Sequence, residues 1–241
     1  MAPRPDSMNS SQVSWRRLFL ESAAVVLSIL FAFAIDAGWE SMKERERESV
    51  VLQGILADFQ ATRPDLVKRL ATARRFRHNS VVLRDQLAEA AGRGPLVIPD
   101  TIVLSVIGGP TFQPATNTLD AALASGEIDL IQNDEIRRGL AQWRATLADT
   151  FESEQEVRRI TSDRVEPILS RDVALGPYYD IVVAWDADAV EVLGEARITP
   201  SLELSGAVAA RAFYQEFAAQ GLADLLTILE RVEFLIGEGV R

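Results

Sequence analysis

His78 is the only imidazole in the chain and sits in the run Arg74-Arg75-Phe76-Arg77-His78. A catalytic histidine needs a neighbour that fixes its tautomer and a pKa near neutrality. Here no carboxylate stands close in sequence to orient the ring, so a surface histidine is expected. One histidine also excludes His-rich metal centres. The chain has no cysteine, which excludes disulfides, cysteine-ligated zinc and iron–sulfur sites, and thiol nucleophiles. Asp180, Asp186, Asp188, Glu191 and Glu195 form an acidic run with no basic residue between them. Calcium favours clustered oxygens, but the central glycine and terminal glutamate of an EF-hand loop are missing. A solvated acidic loop is expected. Gly92-Arg93-Gly94 and Gly108-Gly109 lack the Lys-Ser/Thr or strand context of phosphate loops and read as breaks between elements. No catalytic, cofactor-binding or metal residue is assigned, and a non-enzymatic protein without a cofactor is expected.

Charge narrows the partners. The 241 residues carry 25 Lys and Arg against 35 Asp and Glu, a net charge of −10. Up to Trp39, Arg4, Arg16 and Arg17 balance Asp6, Glu21 and Asp36, so the acidic excess lies beyond it. An acidic domain is poorly matched to a phosphate backbone, and nucleic acid is excluded as a partner. One stretch runs the other way: Arg63 to Arg77 holds six basic residues and one acid, Asp65. A straight helix from Trp39 would put Arg63 about 36 Å beyond a membrane interface, several times the Debye length of about 8 Å. That patch is expected to face an acidic surface of this chain or of a partner. Tyr178, Tyr179 and Trp185 could line a contact site, but core packing is the expected role.

The elements that position these residues begin with an apolar run. Leu18 to Ala37 reads LFLESAAVVLSILFAFAIDA, and eleven of its twenty residues are Leu, Ile, Val or Phe. Twenty helical residues rise about 30 Å, the thickness of a bilayer core. Glu21 and Asp36 lie near opposite ends, where a charge is tolerated more easily than at the midplane. Trp15 and Trp39 flank the run at the spacing of interfacial aromatics, with Arg16 and Arg17 as further anchors at the first end. A transmembrane helix over 18–38 is expected, between a short tail (1–17) and an acidic domain (39–241). A cleaved signal peptide ending at Ala32-Phe33-Ala34 and a buried core helix are the competing readings. Ala24, Ser28, Ala32 and Asp36 recur every four residues and share one face. Small residues at that spacing let a second helix approach closely, and the polar end offers it a hydrogen bond. The competing reading is that Ala is common and Asp36 sits among headgroups.

Beyond Trp39 the apolar pattern is helical. Val51, Leu52, Ile55, Leu56 and Phe59 begin a face that continues through Leu66, Leu70, Ala73, Phe76, Leu83 and Leu87. Pro64 is expected to kink or divide it. Short helices are expected over 102–107 and 114–125, the second ending at Gly126. Asn133 reads as an N-cap, with Asp134 and Glu135 in the first turn. A helical stripe runs from there to about Arg171, an irregular stretch covers 176–199, and a last amphipathic helix spans about 201–236. Such stripes cannot be buried alone, so the fold class is all-α, with the helices in a long-helix antiparallel bundle of about four.

Two passages resemble a bacterial family of single-pass membrane proteins known as a domain of unknown function. The first is Glu21 to Glu40, an apolar helix closing in Ile-Asp-x-x-Trp. The second is Thr111 to Leu147, with a Thr-Phe-x-Pro opening, a Ser-Gly turn and a Leu-Ile-x-Asn-Asp-Glu helix start. Ala37-Gly38 before Trp39 departs from the family pattern, which brings Trp closer to Asp. The resemblance implies a membrane anchor with a helical domain and no particular activity. The expected function is a non-catalytic, membrane-anchored accessory or scaffold subunit. It would pack against other transmembrane subunits, or against itself as a homo-oligomer, and against a partner's extramembrane surface, in a larger energy-transducing or transport complex. The alternative is an extracytoplasmic sensory or ligand-binding helical bundle, against which the roughly 17 residues before the apolar run count as too few for an output module. Arg16 and Arg17 favour a cytoplasmic N-terminus, and with the family resemblance they place the chain in the bacterial inner membrane with its bulk in the periplasm.

Overall fold

The computed structural model describes residues 15–109, 111–184 and 194–239. The chain is mainly helical and divides into two compact units, Met1–Val50 and Val51–Arg241. Helix α1 covers Trp15–Ala90, and its first part belongs to the first unit. There the apolar side chains lie outward: Phe19, Leu20, Val25, Leu27, Leu30, Phe31 and Phe33 are all exposed. An 18-residue window of this helix has a mean hydropathy of 2.0 and none of it is buried. It is long and apolar enough to cross a membrane.

The second unit is built on the rest of α1, on α4 (Asp134–Ile160) and on α7 (Leu202–Gly239). Named contacts give their directions. Arg63 of α1 pairs with Glu230 and Glu233 of α7, and Arg77 pairs with Glu216, so these two helices are antiparallel. Arg231 reaches Glu135, and Arg211 reaches Thr161 just beyond the end of α4, so α7 is antiparallel to α4 as well. Phe59 lies 4.8 Å from Trp143 between ring centroids, and Arg69 feels the charge of Glu154. Helices α1 and α4 therefore run the same way. The expected antiparallel arrangement holds for α7 against both neighbours and not between α1 and α4.

Parallel helices need a long crossover. It consists of strand β1 (Leu96–Pro99), α2 (Asp100–Ile107), α3 (Asn117–Ser125) and a 3₁₀ turn at Glu127–Leu130. Gly92 and Gly94, at φ 76° and 103°, turn the chain out of α1. Gly126, at φ 79°, stops α3 as its sequence implies. Asn133 caps α4: its side-chain oxygen accepts from the backbone N–H of Glu135 and Ile136.

Three features depart from the sequence reading. Helix α1 passes through Pro64 without a break. Phe59, Thr62, Leu66 and Leu70 on either side of it are buried, so packing on both flanks offsets the missing hydrogen bond. The helix after α4 is not uniform. A π-helical segment, Thr161–Val165, separates α4 from α5 (Glu166–Leu169). The stretch expected to be irregular contains α6 (Gly176–Ala184) and β2 (Glu195–Ile198). Strand β2 pairs antiparallel with β1, Leu96 opposite Ile198 and Ile98 opposite Ala196.

The apolar core of the second unit comes in two clusters. One gathers Ile55, Phe59, Leu66, Leu119, Trp143, Leu225 and Leu229 with their neighbours. The other gathers Leu83, Leu87, Ile98, Val103, Val165, Leu169, Ile198 and Val208. On α1, α4 and α7 alike, polar residues are buried where one cluster gives way to the other: Ser80, Glu154, Arg211 and Gln215, with Thr161 at the start of the π segment.

Candidate functional site

Two places hold residues arranged for more than packing, one in each unit. In the first, Trp15 and Trp39 are exposed at 82% and 60%. The Lys43 ammonium lies 5.6 Å from the centre of the Trp39 ring. The side chains of Arg16 and Arg17 lie outside the described residues. Ala24, Ser28, Ala32 and Asp36 lie along one face of the helix. Ser28 donates from Oγ to the Ala24 carbonyl at 2.8 Å, so its hydroxyl is satisfied within its own helix. Ala32 and Asp36 also line a shallow groove with Ile29, Phe33, Ile35 and Trp39.

The second place is the polar belt between the two apolar clusters. Arg211 of α7 has no exposed surface. Its Nε donates to Thr161 Oγ1 at 2.8 Å, its Nη1 to Ser80 Oγ at 3.0 Å and its Nη2 to the Gly108 carbonyl at 2.5 Å. Ser80 in turn donates to Gln215 Oε1 at 2.8 Å. Burial lowers the Arg211 pKa to about 9, with the Glu166 carboxylate acting from a distance in the other direction. A guanidinium fork that reaches two helices and a loop at once uses a geometry an ammonium lacks. Its partners are neutral oxygens, which leaves a desolvated charge held mainly by hydrogen bonds.

The loop after α2 and the start of α3 are tied to the belt and to α1 and α4 at several points. Besides Gly108, the Thr111 hydroxyl accepts from Arg158 Nη1 at 2.9 Å, and the Phe112 N–H donates to Glu154 Oε2 at 3.1 Å. Ala115 N–H donates to Thr62 Oγ1 at 3.2 Å, and Thr118 N–H donates to Asp58 Oδ2 at 2.7 Å. The Thr-Phe-x-Pro segment is thus fixed by its backbone and by Thr111, while Phe112 enters the core. Glu154 is only 8% exposed. Burial raises its pKa above the ordinary carboxylate value, opposed by the Phe112 N–H and by the charges of Arg69 and Arg158.

Beside Glu154 lies a cavity of about 40 Å³ between α1, α4, α7 and the loop. Arg69, Thr72, Ala73 and Gly109 are half-buried around it, and Phe76, Glu154, Val157, Gln215 and Ala218 are buried. Burial lowers the Arg69 pKa, and the charges of Glu154 and Asp65 oppose the shift. Among the described residues, no group of three or more His, Asp or Glu gathers closely enough to hold a metal ion.

His78 is exposed on α1, as expected. The basic stretch meets an acidic surface of its own chain: Arg63 lies 3.3 Å from Glu230 and also pairs with Glu233, and Arg77 pairs with Glu216. Tyr178 is buried and donates to Asp100 at the start of α2, and Tyr179 hydrogen-bonds Glu166. Trp185, Asp186, Asp188 and Glu191 lie outside the described residues. Arg211 and Gln215 were missed by sequence reasoning, although a signal was present. They are the polar breaks in the buried α7 stripe Leu204, Val208, Arg211, Gln215, Ala218, Leu222 and Leu225. Comparison with protein-family models, curated proteins and solved structures finds no match for this chain.

Proposed function

We propose that this chain is a non-catalytic, membrane-anchored accessory or scaffold subunit. The first part of α1 spans the bilayer, presents Ala24, Ser28, Ala32 and Asp36 to another transmembrane helix, and carries the acidic helical unit. One observation supports the reading above the others: the apolar side chains of this segment are exposed together, Phe19 at 77%, Leu27 at 65% and Phe31 at 69%. Such a continuous apolar surface is far beyond what water-soluble surfaces carry and marks a membrane or protein contact. A core helix would bury one face of it, and here none is buried. The small stripe distinguishes one side of the helix from its Leu- and Phe-rich remainder, as helix pairing in lipid requires. The Arg16 and Arg17 flank supports bacterial inner-membrane residence with the second unit in the periplasm, as the family resemblance implies.

The test separates insertion from docking. The variants Ala24→Leu, Ser28→Leu and Ala32→Leu keep the segment apolar while filling the stripe. Each should insert normally yet lose the subunits that copurify with the native chain in a gentle detergent. Unchanged retention in all three would refute the docking role, and a native chain purified as a bare monomer would refute the accessory reading.

A further inference from the structure

We propose that the outward face of α1 in the second unit docks on the outward face of α4 in a second copy of this chain, joining copies head to tail in a closed ring. Pro64, Val67, Lys68, Ala71, Arg74 and Arg75 recur three and four residues apart on α1 and are all exposed. Val67 shows 49% of its surface. Among the described residues Lys68, Arg74 and Arg75 form no ion pair, whereas Arg63 and Arg77 in the same stretch are paired with α7. On α4, Ala141, Ala145, Ala148, Asp149 and Glu152 share the counterpart face and are likewise exposed. Among the described residues Asp149 and Glu152 form no ion pair either. One face is basic and the other acidic, and both have short side chains between the charges, which lets helix axes approach to about 8–10 Å.

The charges also match in level. Phe59 stacks on Trp143, and Arg211 joins Ser80 to Thr161, so each α1 residue comes level with the α4 residue about 81–84 positions later. Because α1 and α4 run the same way, a rotation about an axis along them keeps every residue at its level. It brings Lys68 of one copy to the height of Asp149 and Glu152 of the next, and Pro64 to that of Ala145 and Ala148. Arg74 and Arg75 come level with Glu156. That carboxylate already holds Arg159, but Asp163 on the same arginine leaves the group net negative. Arg144, a cation at the edge of the α4 face, comes level with the neutral Gln60. Two different patches meeting by a pure rotation make a heterologous contact, which closes into a ring. Neither the anchor nor its docking stripe takes part, so this contact and the accessory role stand or fall separately.

The chain has no cysteine, so introduced thiols report the contact without background. Val67→Cys and Ala148→Cys are placed in two differently tagged full-length chains, produced together and oxidised in a gentle detergent. The expected product joins one tag to the other, in clear excess over either chain joined to itself. Lys68→Glu with Arg75→Glu should weaken that cross-link by about tenfold or more. Adding Asp149→Lys and Glu152→Lys to the neighbouring chain should restore it. The cross-link between chains with unaltered charges decides the matter even where a charge variant folds poorly. Cross-links only between like positions, or one copy per particle by light scattering of the native chain, would overturn the proposal. A particle holding one copy of this chain among other subunits would overturn it and leave the accessory role intact.

Discussion

Replacing Gly221 by alanine tests a close approach of α4 and α7 in the second unit. A Cβ built on Gly221 lies 2.2 Å from Thr150 Oγ1 and 3.1 Å from Thr150 Cβ. Thr150 cannot easily yield: it is 2% exposed, and its hydroxyl donates to the Thr146 carbonyl at 2.6 Å. On propensity alone, Gly→Ala inside a helix stabilises by about 1 kcal/mol. Overpacking a tight contact costs about 1–3 kcal/mol, and turning the Thr150 hydroxyl away loses a bond of about 1 kcal/mol. The balance is a net loss of about 1–3 kcal/mol, a fall in Tm of about 2–12 °C for a chain of this size. Thermal unfolding of the detergent-solubilised chain, followed by circular dichroism, reads it directly. Gly221→Ala combined with Thr150→Ala removes the clash and should recover most of the loss, giving a coupling of about 1–2 kcal/mol in a double-mutant cycle. If Gly221→Ala alone raises Tm, as it would in an open helix, the close approach of α4 and α7 is refuted.

Two further predictions concern the polar belt. Arg211→Lys keeps the buried charge but cannot reach Thr161, Ser80 and Gly108 together, so it should cost about 2–3 kcal/mol in urea unfolding; an unchanged midpoint would mean that the fork is not required. Glu154→Gln should stabilise the chain at neutral pH relative to the native protein. A carboxyl whose folded pKa is raised binds its proton more tightly when folded, so the native chain regains stability as pH falls through that raised value. The variant's advantage should therefore shrink between neutral pH and the ordinary carboxylate range. An advantage that grows on acidification would reverse the assignment.

The parts legible in the sequence are those whose cause is local. Asn133 followed by Asp134 and Glu135 contains its whole cap within four residues, and it is found as read. Gly126 stops α3 for an equally local reason. The apolar segment was legible because length and hydropathy suffice for it. The β1–β2 pair was not, since four residues have no period and the partners lie about a hundred positions apart. That Pro64 does not divide α1 was not legible, because local preference favours a break while the packing that holds both flanks comes from distant helices. The direction of α4 relative to α1 follows from the length of the crossover, which a sequence stripe does not encode. In the basic stretch, Arg63 and Arg77 were rightly expected to meet acidic surface, whereas Arg211 of the belt was passed over as one charge on a long amphipathic helix. Its burial depends on three partners from separate elements.

The shared direction of α1 and α4 bears on how the chain is made. Arg63 finds its partner Glu230 only 167 residues later, and Ile55, Phe59 and Leu66 share their cluster with Leu222, Leu225 and Leu229. At about 5–20 residues per second, a ribosome needs roughly 10–30 s to produce α7 after this part of α1 emerges. For that interval the apolar face of α1 has no α7 to cover it. Closure then requires contacts between distant parts of the chain, the slow kind. A nascent chain stopped before α7 would display that face permanently, and quality control acting on exposed apolar helix would meet it first there.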